Sequence, residues 1–233
     1  PHSLRTEVNR RIFHNHHSRD GNSLPPWSEI TVLQIFRGIL NGVQAMHRLN
    51  ISHRDIKLEN VLFQSPKDLS TPVLMDFGST GPLIQPIQQR RDVLCIAEMA
   101  SSHTTMPYRP PELFDGGVRT GDADVDFAKV DVWSLGCTLF AILYGASPFE
   151  SEFNRQTGAI RIVDCSQLRV IGNVPFPPDG TGPSKWYSKQ IRALVQWMLQ
   201  QDRTQRPFLP EVIHRVETML ADHNGERHLD MVL

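Results

Sequence analysis

The chain has 233 residues, 39% of them hydrophobic, and a formal net charge of -1. That length suits one large domain or two small ones, and the hydrophobic share supports a sizeable core. The balanced charge gives no electrostatic ground for nucleic acid or an anionic membrane as partner. Three cysteines, Cys95, Cys137 and Cys165, form no C-x-x-C pair. That argues against a disulfide framework or a Cys-rich zinc site, suits a reducing compartment, and leaves the thiols as buried or inert groups. No signal peptide opens the chain. It begins at Pro1, as a processed chain or a fragment would.

Residues 1–26 are polar and end at Pro25-Pro26. His14, His16 and His17 cluster there without a carboxylate or thiol at helical spacing, so they read as a solvated loop and not as a metal site. Residues 27–49 are helical: Ile30, Leu33, Phe36, Leu40 and Val43 recur at helical spacing, and Ser28 suits the N-cap. A polar loop at 53–60 precedes two short apolar runs, 61–63 and 73–75. Ser65, Pro66, Asp68, Ser70 and Pro72 lie between them, which predicts two short strands in a hairpin-like pair. Residues 82–121 read as irregular, with a short helix around 93–100. Residues 128–144 are apolar nearly all round, as a helix in the centre of a core is. Asp131 and Ser134 interrupt that run, and it falls short of the roughly 20 residues that span a bilayer, so no transmembrane segment is expected. Gly145 and Pro148 end it. Residues 153–182 are Gly/Pro-rich and mixed. An amphipathic helix is predicted at 188–200, a short helix at 210–220, and a polar, frayed tail at 223–233. The expected fold class is mainly α with a small strand pair, flanked by polar loops of the kind that carry chemistry.

His53-Arg54-Asp55-Ile56-Lys57-Leu58-Glu59-Asn60 spells H-R-D-x-x-x-x-N. Asp76-Phe77-Gly78 follows, then Pro110-Pro111-Glu112 in the place of an A-P-E. Any one of these is a weak signal. Together, in this order, with the first two bracketing a strand pair, they are specific. In them the chain resembles the eukaryotic protein kinases.

Phosphoryl transfer asks a protein mainly to position groups and to neutralise charge, and the resemblance assigns those tasks. Asp55 is the expected base that orients the acceptor hydroxyl, since an ionised carboxylate only accepts hydrogen bonds. Lys57 would bring positive charge to the transferring phosphate. Asn60 and Asp76 offer the hard oxygen ligands that Mg²⁺ prefers. Gly78 would free the backbone to turn after the metal ligand. Leu62 would form the floor under the adenine of ATP, and the Glu59 carbonyl would lie near the ribose. Thr105 sits where Ser/Thr kinases keep a threonine contacting the catalytic Asp and Lys. With Lys57, it implies protein substrates with Ser/Thr acceptors. His53 and Arg54 complete the loop as structural residues. Asp131, opening Asp131-Val132-Trp133-Ser134-Leu135-Gly136, would hold the catalytic-loop backbone. Glu112 and Arg206 match a buried ion pair. An Arg before the catalytic Asp often marks kinases switched by activation-segment phosphorylation, with Ser101, Ser102 and Thr104 as the acceptors here.

Within the kinases, Tyr108-Arg109-Pro110-Pro111-Glu112-Leu113-Phe114 resembles the YRAPELF of the Numb-associated kinase family. The long activation segment (90–103) is similar to that of its serine/threonine-protein kinase 16 branch. The resemblance covers about residues 3–220. Pro110 stands where alanine is usual, and 153–174 is longer than the pattern. No G-x-G-x-x-G-x-V loop and no V-A-I-K strand occurs in the 233 residues. The expectation is therefore a C-terminal lobe alone, domain 1–222, beginning just past the hinge, with the N-terminal lobe absent and the chain inactive by itself. The resemblance also implies a cytoplasmic protein, held at Golgi or endosomal membranes by lipidation upstream of this chain. The alternatives are a pseudokinase scaffold that binds protein partners without catalysis and a small-molecule phosphotransferase. Intact Asp55, Lys57, Asn60 and Asp76 argue against the first. Thr105 and the Glu112/Arg206 pair argue against the second.

Overall fold

A computed structural model describes residues 2–12, 26–65, 68–114, 116–120 and 122–230. Strand β1 (His2–Ser3) runs straight into helix α1 (Leu4–Ile12), and α2 (Glu29–Arg48) and β2 (Ile51–Ser52) follow. Strands β3 (Val61–Ser65) and β4 (Asp68–Leu74) come next, then β5 (Gly81–Pro82) and β6 (Ile84–Gln85). Helix α3 (Arg90–His103), strand β7 (Val125–Asp126) and helix α4 (Phe127–Tyr144) lead to the hairpin of β8 (Ser151–Phe153) and β9 (Ile160–Ile162). Helices α5 (Gln167–Val170), α6 (Lys189–Met198) and α7 (Leu209–Asp230) complete the described chain.

Helix α4 is the axis of the core. Nearly every one of its side chains is buried, as its lack of a polar face dictates. It is long and apolar enough to pass for a membrane span, yet 94% of it is covered by protein. Asp126 caps its start by accepting from the Ala128 amide at 2.9 Å. Gly145 ends it with φ +104°, a left-handed C-cap that glycine adopts without strain. Helices α2, α6 and α7 pack around it through Val32, Phe36, Leu40, Leu194, Val195, Met198 and Val216. The α2 N-cap is Ser28, whose hydroxyl accepts from the Thr31 amide, and the α6 N-cap is Ser188, which accepts from Ile191. A second, smaller cluster joins Ile96 and Ala100 of α3 to Leu113, Val118 and Val125, and to Phe127 and Val130 at the start of α4.

The expectation of a single strand pair is corrected. β3 and β4 do pair, with Leu62 opposite Val73, but β1 joins them in a three-stranded sheet of order β1-β3-β4. Three two-stranded ladders, β2-β5, β6-β7 and β8-β9, stand elsewhere among the described residues. Strands of two or three residues show no alternation of their own. Apart from the β8-β9 hairpin, they are made by partners far off in the chain, such as His2 opposite Phe63. Residues 68–72, read from composition as a turn, lie in β4. Helix α1 was also hidden. Its buried Leu4 and Val8 have helical spacing, but Arg5, Glu7, Arg10 and Arg11 surround them. Helix α3 is longer at both ends than the 93–100 expected, and α7 runs to Asp230, past the expected end at 220. Cys95 is exposed, Cys137 buried and Cys165 half-buried, so the first thiol is not a core group. The His14, His16 and His17 cluster and Pro66 lie outside the described residues.

Position 117, beyond the turn that follows Phe114, has no room for a side chain. A Cβ at Gly117 would stand 2.6 Å from the Pro111 carbonyl oxygen and 2.7 Å from that of Glu112. Both obstacles are backbone, so they cannot swing aside. Gly117→Ala is expected to lower stability by about 1–3 kcal/mol, read as a fall in melting temperature.

Candidate active site

The site is assembled on a buried carboxylate. Asp131, in the second turn of α4, is fully buried. Its Oδ2 accepts from the His53 amide at 2.9 Å and its Oδ1 from the Arg54 amide at 2.8 Å. His47, near the end of α2, meets the same Oδ2 at 2.8 Å. These bonds hold Arg54 at φ +69°, a left-handed conformation that an ordinary side chain adopts only under restraint. The next residue, Asp55, is thereby turned towards the activation segment.

Asp55 collects four donors on its carboxylate. Lys57 Nζ donates to Oδ2 at 2.7 Å and Asn60 Nδ2 to the same oxygen at 3.2 Å. The Thr105 hydroxyl donates to Oδ1 at 2.6 Å and the Thr105 amide at 3.1 Å. Lys57 also donates to the Thr105 hydroxyl at 2.7 Å. The structure thus brings Asp55, Lys57, Asn60 and Thr105 to one point, although Thr105 lies 50 residues along the chain from Asp55. Charge-assisted bonds of this kind are short and strong.

Asn60 commits its amide nitrogen to Asp55, donating also to the Asp55 carbonyl at 2.8 Å. Its side-chain oxygen is therefore the atom it can offer a cation. The Asn60 carbonyl accepts from the Met75 amide at 3.0 Å, which carries Asp76 alongside. Asp76 is exposed, and its carboxylate accepts only a long bond, 3.4 Å, from the Gly78 amide. One amide oxygen and one exposed carboxylate suit Mg²⁺, which takes few protein ligands and keeps waters or phosphate oxygens for the rest. They do not suit a metal needing three His, Cys, Asp or Glu ligands, and no such group stands among the described residues.

Asp76 itself is left-handed, at φ +63°. This corrects the expectation for Gly78, which lies within the 3-10 turn Phe77–Ser79 and is absent from the glycines with positive φ. A Cβ at Gly78 would make only an ordinary contact, 3.4 Å from Asp76 Oδ1. The His53 ring supports this corner. Its Nε2 meets the Met75 carbonyl at 3.1 Å, and the ring lies 5.7 Å from that of Phe77.

The side chain of Arg54 spends its bonds on groups other than the hydroxyls of Ser101, Ser102 and Thr104. It donates to Ser52 Oγ at 2.9 Å and to the Pro82 carbonyl at 2.8 Å, with its guanidinium 3.8 Å from the centre of the Phe127 ring. Burial lowers its pKa, against the pull of Asp131. Ser102 bonds the Glu98 carbonyl, and Thr104 accepts from Arg109 at 2.6 Å. Leu62 sits half-buried in β3. The Glu59 side chain accepts from Arg5 of α1 at 2.7 Å.

Glu112 and Arg206 meet as a two-pronged ion pair, at 2.7 and 3.0 Å. Arg206 is 1% exposed and also donates to the Lys129 and Gln200 carbonyls. The pair fastens the Pro111–Leu113 turn to the segment before α7. Ser134 was read only as part of its motif and given no role, and Arg5 and His47 were not singled out from sequence. Ser134 Oγ bonds the Tyr108 carbonyl at 3.0 Å. All three have partners far along the chain, and nothing in the local sequence of Arg5 or His47 marks them.

With this geometry in hand, the protein kinase domain family model matches residues 7–216. The chain belongs to the protein kinase domain family. It is 31% identical over 199 residues to serine/threonine-protein kinase 16 of Rattus norvegicus, covering 85% of this chain and 59% of that protein. The Homo sapiens protein of the same name gives the same identity and shares. Actin-regulating kinase 1 of Saccharomyces cerevisiae is 32% identical over 193 residues, which are 82% of this chain and 26% of that protein. The chain thus spans 59% of the length of the serine/threonine-protein kinase 16 relatives it matches. The kinase-domain match overturns the expectation of a C-terminal lobe only. It runs over most of the chain, and the described residues set strands in four sheets among seven helices. A missing signature run is a local fact and does not measure the extent of a domain.

Removing one partner of a buried ion pair strands the other charge, at about 3–5 kcal/mol. Arg206→Leu is expected to lose that much stability in a denaturation series. An unchanged unfolding midpoint would show the Glu112 carboxylate finding other partners.

Proposed function

We propose that the protein transfers the γ-phosphoryl group of ATP to Ser/Thr hydroxyls of protein substrates. The observation that carries this reading is the convergence of Lys57, Asn60 and Thr105 on the Asp55 carboxylate. A scaffold that only binds partners has no use for that arrangement.

In this reading the acceptor hydroxyl takes the place of the Thr105 hydroxyl as donor to Asp55, which orients it and receives its proton. Four donors fix the Asp55 carboxylate in place, so its main work is alignment. That suits a loose transition state in which the proton leaves late. Lys57 stays beside both and offsets charge on the transferring group. Asn60 and Asp76 would hold Mg²⁺, which when bound neutralises the phosphate oxygens. Leu62 would lie under the adenine and the Glu59 carbonyl near the ribose. Tyr108-Arg109-Pro110-Pro111-Glu112-Leu113-Phe114 supports placing the chain in the Numb-associated family, with the peripheral Golgi or endosomal location that resemblance implies.

The 233 residues contain no G-x-G-x-x-G-x-V loop and no V-A-I-K lysine. Phosphate transfer by the 233 residues is therefore expected to be slow, since no glycine-rich loop of that pattern covers the nucleotide. The deciding experiment compares full-length protein with its Asp55→Asn variant on a Ser/Thr peptide with Mg·ATP. Loss of about 10²–10⁴ in kcat is expected, with nucleotide affinity held near the parent value. Equal turnover by the two proteins would remove Asp55 from the reaction.

A further inference from the structure

Arg5 belongs to no motif and lies far in sequence from the catalytic loop, yet its side chain reaches three separate parts of the site's frame. Its Nε donates to Glu59 Oε1 at 2.7 Å, in the turn that ends at Asn60. Its Nη1 donates to the Gly145 carbonyl at 2.8 Å, at the C-cap of α4. Its Nη2 donates to the Tyr108 hydroxyl at 3.4 Å, and the 3-10 turn bearing Tyr108 starts next to Thr105. Burial works against the Arg5 charge, but its acidic neighbours, with Glu59 directly bonded to it, outweigh burial and raise its pKa. Burial also pushes the Tyr108 phenol well up, so it stays neutral and able to accept. Gly145 directly follows the C-terminal end of α4, whose negative pole favours a cation nearby.

We propose that Arg5 is a positioning residue for the phosphoryl transfer described above. It ties the turn carrying Asn60 and the turn carrying Thr105 to the same end of the core helix. Asp131 holds Asp55 from the start of α4 through the loop backbone. Arg5 holds the partners of Asp55 from the other end. The two restraints share one rigid rod, so Asp55, Asn60 and Thr105 keep a common reference. A guanidinium suits this task because its donors are fixed in one plane and can serve three acceptors at once. A lysine at position 5 keeps the charge towards Glu59 but cannot span all three.

The inference rests on the kinase reading, so its test has one measurement that needs turnover and one that does not. In full-length protein, Arg5→Gln is expected to lower kcat by about ten- to a hundredfold, with KM for ATP and for the peptide within about twofold and the melting temperature unchanged. Arg5→Lys is expected to recover part of the loss. Tyr108→Phe combined with Arg5→Gln is expected to cost less than the sum of the two, as residues in one network do. Separately, amide hydrogen exchange should quicken in Arg5→Gln over residues 55–60 and 104–109 and not over α4. Unchanged exchange at both turns would overturn the proposal, whether or not the parent protein turns over. An unchanged kcat, or a loss that only follows the melting temperature, would overturn it as well. A parent protein that fails to phosphorylate any Ser/Thr substrate would remove the kinase reading instead, and the exchange data would still decide whether Arg5 ties the turns.

Discussion

The site depends on one carboxylate taken out of water. Asp131 is fully buried and satisfied by the His53 and Arg54 amides and by His47. Burying an ionised group without partners is costly, and with several good donors it becomes a fixed point. What it fixes is a backbone conformation that the loop would not keep alone, with Arg54 left-handed. The direction of Asp55, and through it the meeting with Lys57, Asn60 and Thr105, follows from that restraint. The core helix thus does more than fill the interior. Its first turns carry the acceptor that shapes the loop, and its far end carries the carbonyl that Arg5 reaches.

The parts legible in the sequence were those written in local pattern. Helix α2 was plain from its apolar stripe and from Ser28, and α4 from its lack of a polar side. The residues around Asp55 were named because H-R-D-x-x-x-x-N compresses most of the catalytic loop into one run. Thr105 needed the family pattern, since no spacing rule links it to Asp55. The strands were under-read, because β1, β2, β5, β6 and β7 are two residues each and exist only through distant partners. The expectation of a lone lobe failed for a related reason, having inferred extent from the absence of two short signatures.

The conformational detail around Asp76 was also beyond the pattern. A glycine after an aspartate suggests that the glycine makes the turn. Instead Asp76 takes the left-handed conformation, which Asp tolerates better than most residues because its short side chain bonds locally. Here that local bond runs to the Gly78 amide. The aspartate is thus both the ligand candidate and the bend.

The packing of Arg54 limits which pairs of residues can coexist. Its guanidinium is pinned between Ser52, the Pro82 carbonyl and the Phe127 ring. A Cβ at Gly81 would overlap it. Ordinarily the tip of a long side chain yields to such an intruder, but this one has given up its freedom on three sides. Positions 54 and 81 are therefore joined by volume alone: a side chain is admitted at 81 only when the cation at 54 has been shortened or moved. Two residues 27 apart, one charged and one without a side chain, share a single space.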